Sequence, residues 1–240
     1  MQNFAILGGT FNPIHWGHLQ IAEAAHTQAS LNQVIWVPAY HPPHKSQADN
    51  LLSFAHRYEM VRRAIANHLD FTASAIEAES GKSYAIHTLQ VLQSLYPNRR
   101  WYWIVGLDAF RSLPHWYCCQ ALAEQCDWLV APRLSFRSTS NLETDLETDC
   151  DADRDADDRD LSSQDADSER ACFAVEKIFA ARNIELRWQL LAMPPVEISS
   201  SLIRCYRQNY RSISKLVPDA VESYILAHKL YQPFEPPLLE

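Results

Sequence analysis

Six short β-like runs alternate with stretches of helical periodicity along this chain: Phe4–Leu7, Val34–Val37, Phe71–Ala73, Trp101–Val105, Trp128–Val130 and Leu186–Leu191. The helical patterns between them cover residues 17–29, 54–67, 84–95 and 118–125. Strands that are apolar along their whole length are buried on both faces, and strands separated by helices pair in parallel through right-handed crossovers. The alternation therefore predicts an α/β fold, a doubly wound parallel sheet with helices on both faces, and a C-terminal helical segment over Pro218–Leu230 follows it. In such sheets ligands bind beyond the carboxyl ends of the strands, where the strand order reverses. Two turns stand at such ends: Gly8–His18 after the first run, and Gly106–Asp108 after Trp101–Val105.

The first of these turns reads GGTFNPIHWGH and leads into a helical face formed by Leu19, Ile21, Ala22 and Ala25. A strand-to-helix turn exposes backbone N–H groups at the positive end of a helix dipole, which attracts anions. His15 and His18 add two donors at i and i+3 on one side of that helix start. The arrangement suits a polyphosphate. It lacks the Lys-Ser/Thr pair of a Walker loop and the GxGxxG of a dinucleotide turn. As a zinc site it is poor, with no Glu between the histidines and no third ligand nearby. A second anion-binding helix start is expected at ISSSLIR, residues 198–204, where a serine caps the helix and Arg204 follows about one turn later.

Composition narrows the class. The net charge of −8 is concentrated in residues 141–169, where 13 Asp or Glu face only Arg154 and Arg159, so the remainder carries about +3 and suits an anionic substrate. The stretch from about Ser135 to Glu169, with its low-complexity part at 138–169, offers few apolar side chains against ordering entropy and is expected to be a disordered acidic insert within a single domain of 1–240. Its alternating Asp residues lack the Gly and terminal Glu of a calcium loop. No apolar run reaches the roughly 20 residues of a membrane span. The chain enters a strand at once without a basic n-region, so no signal peptide is expected. Six cysteines without a CxxC pair, two of them adjacent at Cys118 and Cys119, favour a reducing cytoplasm. No basic patch with interleaved aromatics suggests nucleic acid.

Together the motifs resemble the nucleotidyltransferase superfamily with the HxGH signature, here His15-Trp16-Gly17-His18, and its second signature ISSTxxR, here ISSSLIR. VPAYHPPHK at 37–45, SYAIHTL at 83–89, GLDAFRSLPHWY at 106–117 and LVPDAVESYI at 216–225 resemble, in order and spacing, the motifs of bacterial nicotinate mononucleotide adenylyltransferases. The likeness spans nearly all of the chain except the acidic insert. It implies a Rossmann-like fold and adenylyl transfer from ATP to nicotinate mononucleotide, yielding nicotinate adenine dinucleotide and pyrophosphate for NAD biosynthesis.

By the same resemblance, His15, His18 and Arg204 are the catalytic residues. The ATP site is implied at Gly8, Gly9, Thr10, Phe11, Gly17, Gly106, Asp108, Ile198, Ser199 and Ser200. The mononucleotide site is implied at Lys45, Ser83, Tyr84, Ala85 and Trp116, with Lys45 near the phosphate and Trp116 stacking on the pyridine ring. Mg2+ would arrive mainly on the ATP phosphates, and homo-oligomerisation is left open.

Three positions depart from the family pattern: Asn12 and His87 stand where Asp is usual, and Ala85 where Thr is usual. They bear on the choice between nicotinate and nicotinamide mononucleotide more than on the reaction. Two other readings stand beside this one. A pantetheine or cytidylyl enzyme of the same superfamily is disfavoured by PPHK and the GLD–Trp region, and an inactive nucleotide-binding regulator by the intact His15, His18 and Arg204.

Overall fold

The computed structural model describes residues 1–42, 51–81, 83–132, 161–194 and 196–232, with only the backbone described over 161–165. Its first half runs β1 (Gln2–Gly9), α1 (Trp16–Gln28), β2 (Gln33–Pro38), α2 (Phe54–Ala64), β3 (Phe71–Ala73), α3 (Ile76–Ser80) and α4 (Ala85–Leu95). The second half runs β4 (Arg99–Gly106), α5 (Leu107–Ser112), α6 (Cys119–Gln125), β5 (Asp127–Ala131), α7 (Leu161–Ala180), β6 (Trp188–Leu190), α8 (Ser200–Gln208) and α9 (Asp219–Ala227). The strands form one sheet in the order β3-β2-β1-β4-β5-β6, and every pairing is parallel. This is the Rossmann-like arrangement that the alternation predicts.

Side chains alternate across the sheet, as the pleat requires. Ala5, Leu7, Val34, Trp36, Tyr102 and Ile104 face one layer, which is packed by Leu19 and Ala22 of α1, Met60 and Val61 of α2, Ile203 of α8 and Ile225 of α9. Phe4, Ile6, Ile35, Trp101, Trp103 and Trp128 face the other, packed by Leu89 of α4, Phe110 of α5, Leu122 of α6 and Phe179 of α7. β1 is central, with β2 on one side and β4 on the other, so the strand order reverses between β1 and β4. Gly8 and Gly9 end β1 there, and Gly106 ends β4.

The acidic insert differs in extent from the sequence expectation. Residues 133–160 lie outside the described residues, but 161–169, assigned to the insert, form the first turns of α7. The helix extends this far because Ser168, Cys172, Val175 and Phe179, spaced by four, three and four residues, are all buried on one face. The Asp and Ser content of those first turns hides a helix whose order comes from that packing.

Candidate active site at the strand switch point

Leaving β1, the chain turns through Thr10, Phe11 and the cis Asn12–Pro13 peptide before His15 caps α1 in an extended conformation. Phe11 sits in the left-handed region at φ 48° and is buried, its ring edge-on to His18 at 5.1 Å and tilted on Trp36 at 5.6 Å. That ring lies so close to Gly9 that a Cβ there would stand 2.9 Å from it, which is why this position is glycine. Gly17 is confined from the other side: a Cβ would overlap Cγ1 of Val196 and lie 3.1 Å from Nδ1 of His15.

The carbonyl groups of this turn are held by side chains from distant elements. Nη1 of Arg57 donates to the Thr10 carbonyl at 2.8 Å, while its Nε donates to the Leu52 carbonyl at 3.0 Å. From α8, the Ser200 hydroxyl donates to the Pro13 carbonyl at 2.8 Å and Nη1 of Arg204 donates to the Asn12 carbonyl at 2.9 Å. Asn12 itself is 1% exposed, and its Oδ1 accepts from the Tyr231 hydroxyl at 2.8 Å and from the Leu52 N–H at 3.3 Å. Two helix N-termini, those of α1 and α8, are thereby fixed side by side at the carboxyl end of β1. Ser199 is the N-cap of α8, accepting from the Leu202 N–H at 3.2 Å, and Ile198 packs against the α1-side core.

His15 and His18 face each other with ring centroids 3.7 Å apart. The His15 N–H donates to Nδ1 of His18 at 3.3 Å, so Nδ1 acts as an acceptor and the ring's proton sits on Nε2. His15 is 6% exposed, and desolvation pushes it from 6.5 down to about 4. At neutral pH His15 is therefore an uncharged ring, and Nδ1 of His18 is committed as an acceptor. Two stacked imidazolium cations would repel, and the helix dipole disfavours them further.

On the other face of the sheet, Tyr84 precedes α4 and Ala85 opens it. Tyr84 and Tyr117 are both about half exposed, with ring centroids 4.8 Å apart, and His87 stands edge-on to them at 5.6 and 5.9 Å. The Ser83 hydroxyl accepts from the His41 N–H at 2.8 Å. Trp116 is half-buried, its Nε1 donating to the Ser112 hydroxyl at 2.9 Å and its ring edge-on to Trp103 and Trp128. Gly106 is the N-cap of α5, and Asp108 sits in its first turn with Arg111 3.9 Å away. Lys45 lies outside the described residues.

The structure thus gathers the expected ATP-side residues at one switch point, with Tyr84–Ala85 at the start of α4 and Trp116 between α5 and α6 on the other face. Sequence reasoning missed Arg57, Glu77, Tyr117 and Tyr231. One signal was available: Arg57 falls on the same helical stripe as Met60, Val61 and Ala64, where a charge has no reason to be unless it is bonded inside. A separate cleft of about 480 Å³ lies at the opposite, amino-terminal ends of β4 to β6. There Asp127 binds both Arg100 and Arg187, and with Glu176 and Glu185 beside them the lining has no excess positive charge for a phosphate. Among the described residues no group of His, Cys, Asp and Glu is arranged to hold a metal ion, and no helix is long and apolar enough to cross a membrane.

Comparison with known proteins agrees with this geometry. The cytidylyltransferase-like family matches residues 6–206. A Trichormus variabilis protein named a probable nicotinate-nucleotide adenylyltransferase is 45% identical over 232 residues, covering 96% of this chain and 98% of its own. A Synechococcus protein (strain JA-2-3B'a(2-13)) of the same name is 41% identical over 231 residues, covering 96% and 97%. The Plasmodium falciparum nicotinic acid mononucleotide adenylyltransferase complexed with NaAD shares the fold at a TM-score of 0.67, with 18% identity over 96% of this chain and 98% of that one. The chain belongs to the cytidylyltransferase-like family, and within it to the nicotinate-nucleotide adenylyltransferases.

Proposed function

We propose that this protein joins ATP and nicotinate mononucleotide: an oxygen of the mononucleotide phosphate attacks the α-phosphorus of ATP in line, the α–β bridging bond breaks, and nicotinate adenine dinucleotide and pyrophosphate result. The observation that carries this reading is the convergence of the HxGH turn and the start of α8, through the Ser200–Pro13 and Arg204–Asn12 bonds, at the switch between β1 and β4.

The acceptor phosphate has a second pKa of about 6 and is already anionic at neutral pH, so no protein base or covalent intermediate is needed. Catalysis then rests on alignment of the two phosphates and on donors aimed at charge that grows on the departing pyrophosphate. His18, with its proton on Nε2, donates toward the α-phosphate. His15 and the positive end of α1 reinforce it. The amino-terminal turn of α8, with Ser199, Ser200 and Arg204, holds the β- and γ-phosphates. To do so the Ser200 hydroxyl redirects its one proton from the Pro13 carbonyl to a phosphate oxygen, while Arg204 keeps donors beyond those given to Asn12 and to Ser201.

The pyridine ring enters on the Tyr84, Ala85 and Trp116 side, where Tyr117 and His87 add an aromatic wall, and Lys45 meets its phosphate. Hydroxyls, neutral imidazoles and guanidinium groups fit a magnesium ion that arrives on phosphate oxygens and water. When bound, it supplies further charge neutralisation on the triphosphate. Free Cys118, Cys119, Cys126, Cys172 and Cys205 support a cytoplasmic setting. The test is direct: purified protein given ATP, magnesium and nicotinate mononucleotide releases one pyrophosphate per dinucleotide formed. Absence of both products refutes the reading.

A further inference from the structure

Behind the acceptor side lies a buried carboxylate that the reaction above does not use. Glu77, on α3, is 8% exposed. Its Oε2 accepts from the Tyr40 N–H and its Oε1 from the Thr88 hydroxyl, each at 3.1 Å. Ser83 bonds to the same carboxylate through its side chain, and the Ser83 oxygen in turn accepts from the His41 N–H at 2.8 Å. One side chain thus ties the segment after β2 to the segment that opens α4, the two stretches that carry the acceptor motifs. Desolvation pushes this carboxyl up, while those bonds and the positive charge of Arg57 pull against it. A packed apolar residue would fill the space without that desolvation cost, so bonding, not volume, is what the position supplies. Arg57 holds the other half of the site, at Thr10.

We propose that Glu77 is a positioning residue for the mononucleotide: its carboxylate sets Tyr40 and His41 in register with Ser83 and Thr88, and so shapes the acceptor pocket without touching the substrate. The proposal rests on the adenylyl-transfer reading and deepens it. It differs from general support of the fold because its loss acts on one substrate only.

The experiment measures both KM values and backbone amide exchange in Glu77→Ala and Glu77→Gln. With alanine, the Tyr40 N–H and the Ser83 hydroxyl lose their acceptor and the Thr88 hydroxyl keeps only the Tyr84 carbonyl at 3.4 Å, and the KM for nicotinate mononucleotide rises about tenfold or more while that for ATP stays within about twofold. Glutamine can accept from Tyr40 and donate to the hydroxyl oxygens of Ser83 and Thr88, so it restores the mononucleotide KM to within about threefold of the parent. Exchange at the Tyr40 and His41 amides quickens in the alanine protein and returns in the glutamine protein. If the alanine protein does not fold, Thr88→Val removes one donor at nearly constant volume and raises the mononucleotide KM alone, by about threefold. The proposal is overturned if both KM values rise together, if glutamine is as impaired as alanine, or if the two amides exchange at the parental rate. Failure of the adenylyl-transfer reading shows differently, as a parent protein that releases no pyrophosphate, and amide exchange still reports on Glu77 in that protein.

Discussion

Gly17→Ala adds one methyl group where the HxGH turn meets the approach to α8. The new Cβ overlaps Cγ1 of Val196 and stands 3.1 Å from Nδ1 of His15. Restoring ordinary carbon–carbon contact of about 3.5–4.0 Å requires Val196 or the start of α1 to move by well over an ångström. Val196 precedes Ser199 by three residues and Ser200 by four, so the displacement passes to the Ser200–Pro13 and Arg204–Asn12 bonds that align the two helix starts. Overpacking of this kind costs about 1–3 kcal/mol of stability. A misplacement of about an ångström at reacting phosphates lowers kcat/KM by about 100-fold. The assay is pyrophosphate release at subsaturating ATP, read beside thermal unfolding. Adding Val196→Ala removes the opposing methyl group and should recover about tenfold of the loss, a coupling that a double-mutant cycle measures. A Gly17→Ala protein with kcat/KM within about threefold of the parent would refute the reasoning, since the close approach would then carry no catalytic geometry.

Burial of His15 makes stability depend on pH. Its folded value, about 4, lies below the 6.5 of the unfolded chain, so the unfolded state binds more protons between those values and stability declines as pH falls through that window. The full loss is about 3 kcal/mol by pH 4; His15→Asn should flatten this part of a urea-midpoint profile, and a profile of unchanged slope would show that His15 is not the group responsible. His18→Ala removes the donor that we assign to the α-phosphate and should lower the single-turnover rate by about 100- to 1,000-fold with little change in ATP affinity. Near-normal turnover in that protein would remove His18 from the chemistry.

The strands were legible because β1, β2, β4 and β5 are buried on both faces and read as unbroken apolar runs. Helices α3 and α5 were not, since five and six residues are too short to display a period. Helix α7 as a whole was not read either: its amino-terminal part lay in the acidic insert, and its order comes from the buried stripe that begins at Ser168. Within the site, the HxGH and ISSSLIR segments announced themselves through local chemistry. The residues that hold them could not, because their bonds join positions far apart in the chain: Arg57 reaches 47 residues to Thr10, Glu77 reaches 37 to Tyr40, and Tyr231 reaches 219 to Asn12. The Asn12 departure gains a local account from the same bonds. A neutral amide accepts from Tyr231 and Leu52 without burying a negative charge.

Acceptor choice is where the three departures from the family pattern meet the proposed chemistry. His87 beside Tyr84 and Tyr117 replaces an acidic side chain with one that can only repel less or attract a carboxylate, and Ala85 retains the backbone N–H at the start of α4. The most direct measurement is pyrophosphate release with ATP and magnesium, comparing nicotinate with nicotinamide mononucleotide at subsaturating concentration. The account predicts a kcat/KM at least about tenfold higher for nicotinate, some 1.4 kcal/mol of discrimination. Equal rates, a preference for the amide, or no release with either acceptor would contradict it.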